Sequence, residues 1–381
     1  MGMSEHKYPY KWTLKDAVFT KDKGTVFSCF ACGGGSTMGY KLAGFDVIGC
    51  NEIDPKMMDA YIANHKPKYS YLEPIQTFKL RDDLPEELYN LDILDGSPPC
   101  SSFSVSGNRE KDWGKDKKFR EGQAEQVLDT LFFDFIDLAE KLQPKVVVAE
   151  NVKGLLLGGA KEYVKQIYKD FDRAGYVCQH WLLNAANMGI PQKRERVFFI
   201  ALRKDLATPF LTPKDLFTMA PGLKLDFNYE PITFARIFHD YTDRPLSDHY
   251  KEFWDIREYG DVDFSISSAR MGKNENAQFQ YKYLYMDKVP NTITAGEQCV
   301  LFDAPRYRNF DELCECGTFP KDYDFRENKT HYIIGMSVPP VMVAQIAENI
   351  HKQWLQSIKE DEAFHDEGSY DYFNSYIAGD R

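Results

Sequence analysis

Four short segments of this 381-residue chain carry side chains that could do chemistry. The first is Gly96-Ser-Pro-Pro-Cys100-Ser-Ser-Phe-Ser104, where two prolines brace a cysteine at the end of an apolar run. A lone cysteine is usually a small buried hydrophobe. That role explains neither the proline brace nor the polar residues that follow, so Cys100 reads as a nucleophile. The second is Glu150-Asn151-Val152, which closes the very apolar run PKVVVAENV. A carboxyl group there is poorly solvated, which favours its neutral form and suits hydrogen bonding to a ring nitrogen. The third is Gln192-Lys-Arg194-Glu-Arg196 before the strand VFFIALR. Alternate strand residues share a face, so Arg194 and Arg196 are expected to point together toward one site. The fourth is the turn Phe30-Ala31-Cys32-Gly33-Gly34-Gly35, with Glu52 about twenty residues on. Glycines let a backbone approach a ligand, and an acidic residue at that distance can accept both ribose hydroxyls of an adenosine. This pair alone fits a nicotinamide cofactor as well as S-adenosylmethionine.

These segments need elements to hold them. GTVFSCF, FDVIGCNEID, LDILDGSPPC, PKVVVAENV and VFFIALR read as strands, and residues Gln123–Leu142 show apolar positions at helical spacing. Strands alternating with helices imply an α/β fold, a doubly wound, mostly parallel sheet whose ligands sit at the carboxyl ends of the strands. Cys100, Glu150, Glu52 and the glycines all fall at such ends. From 205 to 300 the alternation fades and Pro, Asp, Tyr and Phe become frequent, as expected of a smaller second domain. Helical periodicity returns in the C-terminal segment, 301–381, notably in VPPVMVAQIAENIHKQW.

Composition narrows the classes. Hydrophobic residues make up 43% and charged residues 28%, ordinary for a soluble globular protein. No run approaches a membrane span and the N-terminus lacks a secretory pattern, so a cytoplasmic protein without membrane attachment is expected. The net charge of −11 counts against a generic nucleic-acid binder. The stretch REKDWGKDKKFR, 109–120, is nevertheless locally basic and suits a loop that contacts phosphates. Cys29, Cys32, Cys314 and Cys316 could offer four thiolates to zinc, but small buried residues are the better reading, and no metal is expected.

In this order the motifs resemble those of the DNA (cytosine-5) methyltransferase family, over roughly residues 24–202 and 290–352. Asn291-Thr-Ile-Thr-Ala295 resembles the end of its target-recognition domain, and Gly335-Met-Ser-Val-Pro-Pro340 a last motif that returns to complete the cofactor pocket. The resemblance implies an S-adenosylmethionine-dependent methyltransferase of Rossmann-like fold. It would methylate carbon 5 of a cytosine flipped out of double-stranded DNA. The implied catalytic residues are Cys100, Glu150, Arg194 and Arg196. Phe30, Ala31, Gly33, Gly34, Gly35, Glu52, Ile53, Ile75, Pro99, Leu131, Met336, Ser337 and Val338 would hold the cofactor. Ser104, Asn151, Gln192, Arg270 and Lys273 would bind substrate.

In the second domain Arg236, Arg244, Arg257, Arg270, Lys273, Asn274, Asn276 and Gln278 are candidate readers of base edges, Arg for guanine and Asn or Gln for adenine. A monomer in a bacterial or phage-infected cell, tied to restriction and modification, is the expected setting. The alternatives are the tRNA-methylating branch of the family and a catalytically silent DNA-binding relative. The chain departs from the family pattern at Ser28, where Asp is usual, at Cys32 for Gly, at Pro74 for a carboxylate, at Ser101 for Gln and at Met336 for Asn.

Overall fold

The computed structural model describes residues 7–99, 116–117, 126–127, 130–157, 160–213, 219–273 and 278–362, with backbone alone at 116–117 and 126–127. Strands β1 (Thr25–Cys29), β2 (Asp46–Glu52), β3 (Tyr69–Leu72) and β4 (Ile93–Gly96) alternate with helices α1 (Gly35–Leu42), α2 (Pro55–His65) and α3 (Ile75–Phe78). The short strands β5 (Asp116–Lys117) and β6 (Gln126–Val127) pair with each other in antiparallel fashion. Then come α4 (Leu131–Leu142), β7 (Val146–Val152), α5 (Lys161–Arg173), β8 (Tyr176–Asn184) and β9 (Glu195–Arg203).

The main sheet has seven strands in the order β3-β2-β1-β4-β7-β9-β8. The first five run parallel, and β9 runs antiparallel to both β7 and β8. The order reverses between β1 and β4, and ligands bind at the carboxyl side of such a switch point. All five expected strands form. β3 and β8 are additional edge strands whose exposure alternates, so neither shows a continuous apolar run. The helix expected over Gln123–Leu142 begins only at Leu131, because Gln126 and Val127 are taken by the β5–β6 ladder.

One face of the sheet packs through Val26, Val148, Phe198 and Ile200 against α1 and α11 (Pro340–Ile350); the other packs through Phe27, Leu94, Val147 and Phe199 against α4 and α5. The five inner strands are thus buried on both faces, as their apolar composition requires. Residues beyond 205 divide among several cores. Ala207, Leu223 and Leu225 join the sheet's own core. Leu246, Phe253, Phe264, Tyr281, Tyr283, Tyr285 and Val300 form a separate aromatic one. A third cluster joins Met38 and Met57 of the first half to Ile232, Leu284, Ile293, Leu313 and Ile333. The helical stretch 330–362 reaches the length and hydropathy of a membrane span, but 89% of its apolar window is buried, as in a core helix.

Candidate active site

β1 delivers the chain into a tight turn in which Phe30 (φ 51°), Cys32 (φ 49°) and Gly34 (φ 76°) all adopt the left-handed conformation. Such a conformation costs a residue with a side chain about 1–2 kcal/mol, which explains why glycine is usual at the place of Cys32. The glycines were expected to make room for a ligand, but the atoms that crowd them belong to the protein. A Cβ on Gly33 would lie 2.3 Å from Ile333 Cγ2, one on Gly34 2.2 Å from His65 Nε2, and one on Gly35 2.3 Å from the Val338 carbonyl oxygen. Tyr323 donates its hydroxyl to the Gly33 carbonyl at 2.6 Å. The turn is therefore shaped by the returning segment around α10 (Thr330–Met336), which is the arrangement the last motif implied.

Beside this turn lies an open pocket lined by Phe30, Cys32, Glu52, Ile53, Asp54, Met57, Ser97, Pro99, Tyr332 and Met336. Phe30, Glu52, Ile53, Pro99 and Met336 were anticipated there. Ile75 and Leu131 lie beneath, in the core on the α4 face that Phe30 packs against. Ala31 instead donates its N–H to the Asn51 carbonyl at 3.3 Å. Ser337 and Val338 are buried behind the turn, outside the lining. Sequence reasoning missed Asp54, Met57, Ser97 and Tyr332. Asp54 had a local signal, since an Asp before Pro55 reads as a helix N-cap, and it accepts the Lys56 N–H at 2.9 Å. Met57 and Tyr332 reach the pocket only through tertiary packing.

Glu52 is fixed by three backbone donors: Ile53 and Asp54 N–H on Oε1, both at 2.9 Å, and Cys32 N–H on Oε2 at 2.7 Å. Burial nevertheless shifts its carboxyl upward. Oε2 keeps room for one further donor, so one ribose hydroxyl fits there better than the two expected. Burial also pushes the Cys32 thiol up to about 12, so the pocket is lined by a neutral thiol. Among the described residues no cluster of three or more His, Cys, Asp or Glu side chains could hold a metal ion.

The candidate catalytic segment begins after Pro99, which lines this pocket. Cys100, Ser104 and nearly all of the basic stretch 109–120 lie outside the described residues; only the backbone of 116–117 falls within them. The chain leading to Cys100 is anchored, because Asn151 Nδ2 donates to the Pro98 carbonyl at 3.1 Å while its Oδ1 accepts the Val152 N–H at 2.8 Å. Asn151, expected at the substrate, thus spends its amide on positioning. Glu150 does not meet an apolar environment alone: it forms an ion pair with Arg196, Nε to Oε1 at 2.8 Å. β7 and β9 bring the two together, since Arg196 pairs with Val152 and lies diagonal to Glu150 on the same face.

Arg194 and Gln192 correct the expectation that both would serve the substrate. Arg194 is buried and donates to three carbonyls, Ile293 at 3.1 Å, Gly335 at 3.0 Å and Ser337 at 2.9 Å. Burial, with Arg196 nearby, pushes its guanidinium down to about 9. Gln192 accepts the Ile293 N–H at 3.0 Å and donates to the Cys316 carbonyl at 2.9 Å. Both side chains clamp the segment that resembles the end of the recognition domain, because that segment and α10 bring unpaired carbonyls to the start of β9.

The candidate base readers are also engaged within the protein. Arg270 bonds Asp261 at 2.8 Å and Glu258 at 3.1 Å. Arg257 stacks on Trp254, 3.2 Å from its centroid, and donates to the Phe302 carbonyl at 2.6 Å. Arg244 donates to the Arg308 carbonyl at 3.3 Å. Lys273 is half-exposed over the Phe253 ring, with Glu252 at 4.0 Å. Gln278 holds a left-handed turn (φ 65°), Arg236 ends a short helical turn, and Asn274 and Asn276 lie outside the described residues.

Comparison with known proteins adds an independent line. A family model described as C-5 cytosine-specific DNA methylase matches residues 24–352. Type II methyltransferase M.FnuDI of Fusobacterium nucleatum is 37% identical over 181 residues, which is 48% of this chain and 47% of that protein. M.NgoPII of Neisseria gonorrhoeae is 37% identical over 190 residues, 50% of this chain and 51% of its own. The match thus spans about half the length of these two relatives. M.DdeI of Desulfomicrobium norvegicum is 28% identical over 386 residues, with 85% and 88% covered. Among solved structures, a triple mutant of Spodoptera frugiperda DNMT2 superposes with a TM-score of 0.59 at 15% identity, covering 86% of this chain and 99% of that one. S. pombe Dnmt2 gives 0.55 at 15% identity, with 86% and 98% covered. At that identity the two structures establish the shared fold.

Proposed function

The chain belongs to the C-5 cytosine-specific DNA methylase family, and on that premise we propose that it methylates carbon 5 of a cytosine in double-stranded DNA through a covalent adduct with Cys100. The observation that carries this reading is the Glu150–Arg196 ion pair beside Asn151, which anchors Pro98 in the segment whose Ser97 and Pro99 line the pocket just before Cys100.

The pocket fits S-adenosylmethionine. Glu52 Oε2 retains acceptor capacity for a ribose hydroxyl, and Phe30, Ile53 and Pro99 offer apolar faces to an adenine. When bound, this cofactor supplies an electrophilic methyl group on a sulfonium.

The protein's part is to make carbon 5 nucleophilic. A cytosine inside a duplex is out of reach and must be flipped out. The Cys100 thiolate adds to carbon 6, and the electron pair of the C5–C6 bond becomes available at carbon 5. Glu150 faces N3 and the exocyclic amine. Arg196 fixes the Glu150 carboxylate through their ion pair, and its guanidinium would donate to the base oxygen. After methylation the carbon 5 proton passes to a base, for which water suffices, and the returning electron pair expels Cys100. Arg194, Gln192 and Asn151 position these groups without touching the base.

The sequence-reading role falls to the region 205–300, and the basic stretch 109–120 would contact phosphates. The relatives' designation as Type II methyltransferases supports a place beside a restriction enzyme; the setting that goes with this reading is a monomer in the cytoplasm of a bacterial or phage-infected cell.

Duplex DNA containing 5-fluorocytosine tests the mechanism, because fluorine does not leave carbon 5 as a proton does. The wild type should form a denaturation-resistant complex and Cys100→Ala should form none. Labelled methyl appearing in tRNA but not in duplex DNA, or substantial methylation by Cys100→Ala, would overturn the reading.

A further inference from the structure

β1 and β4 flank the switch point of the sheet, and their register places Ser28 opposite Asp95. Asp95 is only 3% exposed, yet its carboxylate is met by hydroxyls alone: Ser28 Oγ donates to Oδ2 at 2.8 Å and Tyr40 Oη to Oδ1 at 3.1 Å. Among the described residues no Lys or Arg forms an ion pair with it. A buried carboxylate normally acquires a cationic partner or is neutralised. Glu150 adds negative charge nearby, and burial pushes the Asp95 carboxyl up to about 7. The site also sits where a ligand charge would be felt. Two residues after Ser28 comes Phe30, and two after Asp95 comes Ser97, both in the pocket lining. Ser28 lies directly across one strand pair from Asp95, so a carboxylate placed on β1 there would serve the same wall of the pocket.

We infer that Asp95 is the counter-charge for the cofactor's sulfonium, acting from beneath the pocket. The inference rests on S-adenosylmethionine being the cofactor. Asp95 acts through the low-dielectric wall of the pocket and not by transferring a proton or touching the base. Its effect is therefore specific to the charged sulfur. S-adenosylhomocysteine keeps the adenosine, the amino group and the carboxylate but has a neutral sulfur, which isolates this term.

Calorimetric titration of wild type, Asp95→Asn and Ser28→Asp/Asp95→Asn with each ligand is the test, with thermal unfolding as a check on folding. Asn keeps a carbonyl oxygen for Ser28 or Tyr40, so the first variant removes charge more than structure. Asp95→Asn should weaken S-adenosylmethionine binding about tenfold, or about 1.4 kcal/mol, and S-adenosylhomocysteine binding less than threefold. The double variant, with its carboxylate placed on β1, should regain the wild-type ratio of the two affinities. Equal weakening for both ligands, or no weakening of either, would overturn the inference. Where Asp95→Asn does not fold, the double variant decides in the same way. Failure of the wild type to bind either ligand would instead refute the cofactor reading itself.

Discussion

Arg194→Ala separates a structural role from a chemical one. The side chain satisfies three buried carbonyls, those of Ile293, Gly335 and Ser337, at 2.9–3.1 Å. Each buried acceptor left without a partner costs about 1–3 kcal/mol, so the gross loss is roughly 3–9 kcal/mol. Part is recovered, because the charge is held against a desolvation cost that pushes its pKa down to about 9, and removing the group relieves that cost. A net loss of about 3 kcal/mol follows. Arg194→Lys keeps the charge but lacks the planar fork, and should lose about half as much. Equilibrium unfolding in urea reads both values. Stabilised by saturating cofactor and DNA, the Ala variant should retain turnover within about tenfold of wild type, because Arg194 does not touch the base. A stability loss under about 1 kcal/mol together with abolished turnover would refute this and return Arg194 to the catalytic group.

Three further outcomes follow from the same geometry. Glu150→Gln keeps the shape but breaks the ion pair with Arg196; turnover at saturating DNA should fall by at least about a hundredfold with little change in cofactor affinity, measured by single-turnover methyl transfer. Arg270→Ala should lower stability through loss of its bonds to Asp261 and Glu258, and methylation mapping should show the recognised site unchanged, whereas Lys273→Ala should change binding to DNA more than stability. The Asp95 carboxyl lies at about 7 in the folded protein against 3.8 for the ordinary group. Its contribution to stability is fully present below about pH 4 and is lost as pH rises through about 7. Without cofactor, unfolding free energy should therefore decline across that window by up to about 1.4 kcal/mol per pH unit from this group; chemical denaturation at several pH values reads the slope, and Asp95→Asn should flatten it.

The strands that hold the site were legible because each is buried on both faces and reads as an apolar run ending in a polar residue. β3 and β8 were not, since edge strands alternate exposed and buried positions and resemble loops. Alternation leading into β9 predicts a shared face for Arg194 and Arg196, yet the two engage different partners. It could not say where each guanidinium turns, because the partners of Arg194 lie 99, 141 and 143 residues further along the chain. The same holds for Gln192, and for the glycines, whose crowding atoms are His65, Ile333 and Val338. Arg270 is different. Its partners Asp261 and Glu258 are close in sequence, and their spacing from α8 (Phe264–Arg270) could have flagged an ion pair ahead of a base contact.

The returning segment has a consequence for the order in which the protein is made. Ser337 reaches the glycine turn at Cys32 across 305 residues of chain, and a Cβ on Gly39 of α1 would lie 2.5 Å from the Pro340 carbonyl oxygen. During synthesis the N-terminal half emerges first and its sheet can begin to fold. The wall contributed by Tyr332 and Met336 does not yet exist. A ribosome-bound chain shorter than about 340 residues therefore displays the glycine turn and Glu52 without a closed pocket. Cofactor capture therefore waits until the returning segment has been made, and a nascent chain that stalls before Tyr332 lacks that wall of the pocket.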